Sequence, residues 1–297
     1  LIVSGHWQPP LMLLEGRDAN TWRSVGFNVA LDGDAPLNGL AVDPEGTRCA
    51  MSFMRRPFAV GTIDPASPGA CVDLPIASPS VGLAAWTPQG RLVTVASEDQ
   101  VTLWSPDLRS GTTVARIDWL VGTAAAAPAG SPRVALAGHK LMIVRLPLES
   151  EAGASANNSR WTSAKSLEIP ITDSVYSVAW SPDGRQLLCG SRNGEAAVYD
   201  AHTGERTGAL VPHAREIVGV AWSPDGRVLL TADDVGMRLS DAGTLVTFDE
   251  VRPGWTITDV AVAPGGDLVA IAGWEPSAPP QRAGRLATLT LPDGPER

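Results

Sequence analysis

The residue types that most often carry catalysis or bind metals are sparse in this sequence and badly spaced for it. The four histidines, His6, His139, His202 and His213, show no HxxxH or comparable ligand spacing. The three cysteines, Cys49, Cys71 and Cys189, include no CxxC pair, so neither a zinc site nor a disulfide framework is expected. No GxSxG elbow, GxGxxG turn or phosphate-binding loop occurs. Adjacent acids such as Asp233-Asp234 and Asp249-Glu250 fall at turns or strand ends, where carboxylates are usually solvated, and adjacency alone makes no acid/base pair. No catalytic residue, no metal and no cofactor is therefore expected. What remains is binding chemistry: ten tryptophans and an arginine-rich set of bases, residue types that dominate binding hot spots.

The elements that position these groups come from an internal repeat. An apolar stretch, a Pro-containing turn ending in Gly and a second apolar stretch recur along the chain. The clearest copies are Val178-Ala-Trp-Ser-Pro-Asp-Gly-Arg185 and Val220-Ala-Trp-Ser-Pro-Asp-Gly-Arg227. The turn prolines are Pro44, Pro88, Pro128, Pro182, Pro224 and Pro264, so by subtraction successive turns lie 44, 40, 54, 42 and 40 residues apart. A period of about 40–45 residues is that of a four-stranded propeller blade. In Ser-Pro-Asp-Gly, Pro presets φ at the second turn position, and Asp and Gly suit the third and fourth. Each period continues as strand material: after Gly226 come Val228–Ala232, Gly236–Asp241 and Thr244–Phe248, completing strands a to d of one blade.

The stretch from Val211 to Asp241, with His213 ahead of Val-Ala-Trp-Ser-Pro-Asp-Gly and Met-Arg-Leu-Ser-Asp at its end, resembles a WD repeat. The resemblance places His213 at the family's Gly-His histidine, Asp234 at its b–c turn aspartate and Ser240-Asp241 at its Trp-Asp pair. In the preceding repeat Asn193 replaces the aspartate and Tyr199-Asp200 stands for Trp-Asp, and Val101-Thr-Leu-Trp104 is the one strand c that keeps the tryptophan. The family's His–Ser/Thr–Asp–Trp network is thus incomplete, and packing is expected to hold the blades instead. Trp86, Trp180 and Trp222 recur at the end of strand a, which marks them as packing residues between blades; with His213 and Asp234 they form the expected structural set.

The expected fold is all-β: a seven-bladed propeller of four-stranded antiparallel blades, with a six-bladed ring as the alternative. Residues 1–297 read as a single domain with blades at about 1–36 (partial), 37–79, 80–118, 119–173, 174–213, 214–254 and 255–297. The strand count is 26: three, five fours, then three. In the six-bladed alternative Val25–Val29 is the outer strand of the last blade. The chain starts Leu1-Ile2-Val3, without Met or a charged leader, and reads as beginning partway through a longer polypeptide. Glu149–Ser166 is a polar insertion between strands c and d, and Glu275–Gly284 is a Pro-rich extension of a b–c turn.

The resemblance implies that partners bind on the face carrying the b–c and d–a loops. The b–c loops hold Trp7, Arg55, Arg56, Phe58, His139, Lys140, Arg192 and Trp274, and the d–a loops hold Trp119, Arg215, Arg252 and Trp255. A net charge of −9 disfavours a nucleic-acid partner, which needs a basic surface to displace counterions. No apolar run reaches the roughly 18 residues of a membrane span. The expected function is a protein- or peptide-binding scaffold, a monomeric cytoplasmic domain of a larger bacterial signalling protein, whose partner carries acidic residues. A small-ligand or glycan-binding propeller is the alternative. An enzyme with acids converging on a central channel comes third.

Overall fold

A computed structural model of the chain describes all residues except 1, 9–10, 18–23, 33–36, 54–57, 63–70, 75–82, 97–99, 120, 129, 148–165, 264, 276–283 and 292–297. For the described residues up to 38, and for 53, 71–72, 96 and 284, it describes the backbone alone. The polar insertion and most of the Pro-rich extension therefore lie outside the described residues. No helix among the described residues is long and apolar enough to cross a membrane.

The protein is all-β, built of antiparallel sheets of propeller-blade form, each a meander in which neighbours in sequence pair. The first sheet holds β1 (Ile2–Gln8), β2 (Leu11–Arg17) and β3 (Ser24–Asp32). The second holds β4 (Leu37–Val42), β5 (Arg48–Phe53), β6 (Ala59–Thr62) and β7 (Cys71–Asp73). The third is β8 (Leu83–Trp86), β9 (Leu92–Ala96), β10 (Gln100–Trp104) and β11 (Gly111–Arg116). The fourth is β12 (Val121–Ala126), β13 (Arg133–Gly138), β14 (Leu141–Arg145) and β15 (Ser166–Ile169). The fifth is β16 (Val175–Trp180), β17 (Gln186–Ser191), β18 (Ala196–Asp200) and β19 (Arg206–Ala209). The sixth is β20 (Ile217–Trp222), β21 (Val228–Asp233), β22 (Met237–Asp241) and β23 (Thr247–Val251). The seventh has three strands, β24 (Thr256–Val262), β25 (Leu268–Trp274) and β26 (Gly284–Thr290).

The strands thus fall as three, five fours and three. Six of these sheets begin with the strand–turn–strand unit of the repeat, so the repeat-bearing blades number six, the count of the alternative, and not seven. The remaining sheet, β1–β3, has three strands among the described residues. Its β3 pairs with β2, Leu13 opposite Ala30, so Val25–Val29 is not the outer strand of the last blade.

The described chain forms two compact units. The first comprises Leu1–Val121, Pro132–Val134 and Val144–Ser166; the second comprises Gly122–Ser131, Ala135–Ile143 and Leu167–Arg297. In the first unit, Ala50, Phe58, Val60, Leu74, Trp86, Leu92 and Trp104 form one apolar cluster between the second and third sheets. In the second unit three such clusters lie between successive sheets. Strand β21, covered on both faces, is buried at every position, whereas the outer β19 and β23 hold no buried residue. This gradient explains why strand b reads as a continuous apolar run such as Val228-Leu-Leu-Thr-Ala232 instead of an alternating one.

The turns are built as their residues dictate. Ser181 Oγ donates to Asp183 Oδ1 (2.6 Å) and accepts the amide of Gln186 (2.9 Å), while the Arg185 amide donates to Asp183 Oδ1 (3.0 Å). Gly184 closes the turn at φ 69°, a region that glycine enters without steric cost. Ser223, Asp225 and Gly226 repeat the arrangement. Successive turns of the second unit lie against one another: a Cβ on Gly184 would sit 3.4 Å from Pro128 Cγ, and one on Gly266 would sit 3.3 Å from Pro224 Cδ. Strand a carries a bulge at one recurring place, between Leu37 and Gly39, Val175 and Ser177, Ile217 and Gly219, and Ile257 and Asp259.

Trp86, Trp180 and Trp222 are buried. Trp86 Nε1 donates to Ala41 O and Trp180 Nε1 to Ala125 O, both at 2.9 Å and both three residues before the turn proline of the preceding sheet. Trp222 Nε1 is buried without a hydrogen-bond partner. In the first unit the Arg48 guanidinium lies 4.4 Å from the Trp86 ring centroid, while Arg48 Nε donates to Asp43 Oδ2 (3.0 Å).

Candidate functional site

In a strand, residues two apart point to the same face. On β21, Thr231 and Asp233 therefore both present their side chains to one ring, that of His213 in the loop between β19 and β20. His213 Nε2 lies 2.8 Å from Thr231 Oγ1 and Nδ1 lies 3.2 Å from Asp233 Oδ2. The loop is held in place by the His213 amide, which donates to Gly194 O (2.9 Å). Asp233 Oδ1 accepts the amides of Val235 (2.9 Å) and Gly236 (2.8 Å) and so closes the b–c turn. Burial pushes the His213 pKa down, against the pull of Asp233. Burial works against the charged form of Asp233, but the two amides and the His213 ring outweigh it and hold the carboxyl below its ordinary value.

The aspartate expected to partner His213 was Asp234, and that assignment is corrected. Asp234, one residue along and past the end of β21, instead accepts from Arg215 Nη1 at 2.8 Å. The network in this blade keeps three members, His213, Thr231 and Asp233. In place of the missing indole stands Ser240, 0% exposed, with its hydroxyl 3.0 Å from that of Thr247. The indole link survives in another blade, where Trp104 Nε1 donates to Thr94 Oγ1 (2.8 Å).

Above this network the second unit opens a cleft of ≈ 250 Å³, lined by His213, Ala214, Arg215, Asp233, Val235, Gly236, Arg238, Glu250 and Arg252. Three stretches build it: the loop before β20, the b–c turn running from the end of β21 into β22, and the end of β23 with the residues just after it. Gly236 is tightly packed here: a Cβ would sit 3.3 Å from Val251 O and 3.2 Å from Arg252 Cγ, so the neighbours would have to give by a few tenths of an ångström. Glu250 Oε1 accepts from both Nε and Nη2 of Arg252 at 2.7 Å, and its Oε2 lies 3.5 Å from Arg238 Nε. Arg238 Nη1 also donates to Val211 O (3.2 Å) and Pro212 O (2.9 Å). Val235, on the cleft wall, is 41% exposed.

A second cluster of expected site residues lies in the same unit. His139 Nδ1, in the turn between β13 and β14, is 2.8 Å from the buried Ser174 hydroxyl, and Ser174 O accepts the Arg192 amide (2.8 Å). His139 and Arg192 are exposed, and Lys140, next to His139 in sequence, is half-buried. The structure thus brings His139, Lys140 and Arg192 around one loop, and Arg215 and Arg252 into one cleft.

Other expected site residues stand elsewhere. Arg55 and Arg56 lie outside the described residues, as does the side chain of Trp7. Phe58, 2% exposed, belongs to the apolar cluster of the first unit, and Trp119 is also buried, so neither ring faces a partner. Trp255 is half-buried, its ring close over Gly273, and Trp274 is half-buried at the end of β25. Sequence reasoning missed Arg238, Glu250 and Val235. Only Val235, an apolar residue in a tight polar turn, carried a signal for exposure.

The comparisons with known proteins agree with this geometry. The model of the family described as WD domain, G-beta repeat, matches residues 161–200 and 204–234. The chain is 30% identical over 112 residues to eukaryotic translation initiation factor 3 subunit I of Xenopus tropicalis, an alignment covering 36% of this chain and 34% of that protein. It is 32% identical over 112 residues to the same subunit of Homo sapiens and of Mus musculus, with the same coverage. The chain spans about a third of the length of these curated relatives (34%).

Proposed function

Because this chain belongs to the WD-repeat family, we propose that it works as a protein- or peptide-binding scaffold and not as an enzyme. The observation that carries this reading is the cleft of the second unit, where arginines from separate loops and the exposed Val235 share one surface. Arginine is enriched at binding hot spots, and Thr231, the hydroxyl 2.8 Å from His213 Nε2, is buried at 1% exposure and does not line the cleft, so the His213 ring activates no accessible nucleophile there. The likeness to a subunit of a translation initiation factor supports a chain that acts by assembling with others.

We extend the proposal to the partner and the setting. The partner is a segment with acidic residues whose apolar anchor rests on Trp255 or Trp274. The chain is a monomeric domain of a larger bacterial signalling protein in the cytoplasm. The arginine-for-lysine usage, with Lys140 and Lys165 the two lysines, supports the bacterial source.

A pull-down from the source cell tests the reading. The double substitution Arg215→Glu, Arg252→Glu should abolish capture of the partner. Arg185→Glu, Arg227→Glu, at the turns on the other end of the same sheets, should leave capture intact. The reverse pattern would move recognition to the Pro-Gly turns and overturn the proposal.

A further inference from the structure

The cleft of the second unit is charged, yet its charges are unevenly satisfied. Of the carboxylates that line it, Asp233 takes two amides and the His213 ring, and both oxygens of Glu250 face arginine; behind Arg215, Asp234 Oδ1 is buried without a partner. The arginines keep donors to spare on the cleft wall. Among the described residues Arg215 makes one side-chain hydrogen bond, to Asp234, and Arg252 spends its donors on one oxygen, Glu250 Oε1. A guanidinium carries more N–H donors than these bonds use. The unspent capacity of the cleft is therefore donor capacity, which selects an anion. Glu250 itself is solvent-exposed, held from outside, and supplies the group such an anion would supply.

Resting on the scaffold reading, we propose that this cleft receives the side-chain carboxylate of an acidic peptide, and that Glu250 holds its place while no peptide is bound. The incoming carboxylate exchanges with Glu250 on Arg252 and Arg238 and gains Arg215, which Glu250 does not reach. An aliphatic residue next to the acid in the peptide packs on Val235. The exchange conserves charge-assisted hydrogen bonds in number, so its net gain comes from the bonds to Arg215 and the contact with Val235. Affinity is accordingly set by how firmly Glu250 competes.

Fluorescence anisotropy of a labelled, capped Leu-Glu-Leu-Glu peptide tests this. Leu-Gln-Leu-Gln and a phosphoserine counterpart serve as comparison arms, and circular dichroism confirms that each variant is folded. The Glu peptide should bind about 10-fold tighter than the Gln peptide, and Arg215→Gln with Arg252→Gln should remove that difference. Glu250→Gln should strengthen binding several-fold, because it removes the competitor and leaves the donors. Equal binding of both peptides, or weakening by Glu250→Gln, would overturn the inference. Binding of the phosphoserine peptide alone would also overturn it and assign the cleft to phosphopeptides. If neither peptide binds, yet cellular partners are captured equally by wild type and by the arginine variant, this site falls and the scaffold reading stands. If the Glu peptide binds as expected but no cellular partner is captured, the scaffold reading falls alone.

Discussion

His213 Nδ1 lies 3.2 Å from Asp233 Oδ2, and the same ring reaches Thr231 Oγ1 through Nε2 at 2.8 Å, so one buried imidazole ties the loop before β20 to strand β21. Replacing His213 with Ala would leave a buried carboxylate and a buried hydroxyl short of a partner. The expected loss is about 2–3 kcal/mol, read as a shift of the urea midpoint at unchanged slope. A loss within error would mean that water replaces the ring at no cost.

The same pair sets a pH dependence. Burial holds the His213 pKa below its ordinary 6.5, so the unfolded chain takes up the proton more readily than the folded one. Stability from this group is therefore complete above about pH 6.5 and declines as the pH falls below it, until the folded value is passed. Asp233, also depressed, adds a second decline below its ordinary 3.8. The melting temperature of wild type should fall more steeply between pH 7 and pH 5 than that of His213→Gln. A wild-type melting temperature that rises on acidification would show that a charged His213–Asp233 pair wins over burial.

Trp180 and Trp222 occupy equivalent places, but the Trp180 indole N–H has an acceptor in Ala125 O and that of Trp222 has none. Truncation of either to Ala should cost about 3–5 kcal/mol. The Phe substitutions should differ: Trp180→Phe loses a hydrogen bond and should cost about 1 kcal/mol more than Trp222→Phe. Equal losses in chemical denaturation would mean that Trp222 finds an acceptor in solution.

Asp43 and Asp183 hold equivalent turns to different depths. Asp43 accepts from the Thr47 and Arg48 amides, the Thr47 hydroxyl and Arg48 Nε, and its side chain is almost fully buried. Asp43→Ala should cost about 3 kcal/mol, because two amides, the Thr47 hydroxyl and Arg48 Nε all lose their acceptor at a buried position. Asp183→Ala, in a solvent-exposed turn, should cost about 1 kcal/mol. Similar values for the two would show that the Arg48 contact contributes little.

Cys49 and Cys189 are both buried, and burial pushes the Cys189 thiol well above its ordinary range. Thiolate, not thiol, reacts with alkylating agents. Mass spectrometry after brief iodoacetamide treatment at neutral pH should find both unlabelled in the folded protein and labelled in urea. A reductant should leave the melting temperature unchanged. Rapid native labelling of Cys189 would show that its blade opens locally.

What the sequence determined by itself is the repeating unit. The spacing of Pro44 to Pro264 and the Ser-Pro-Asp-Gly turn chemistry are local, so the partition of strands into three, five fours and three was legible without a structure. Turn type depends on the few residues inside the turn, and strand length on the apolar run beside it. The tertiary structure decided which groups meet. Asp233, and not its neighbour, partners His213, because it lies two residues from Thr231 on β21 and so shares that face, whereas Asp234 lies past the end of the strand. Phe58 and Trp119 sit in loops by sequence, but are buried. Arg238 meets the Glu250–Arg252 pair because antiparallel pairing sets it opposite Glu250, and Arg215 joins them on one cleft from a separate loop. Local chemistry sets the period of such a chain, whereas its binding surface is assembled from the ends of strands whose relative placement only the packed sheets fix.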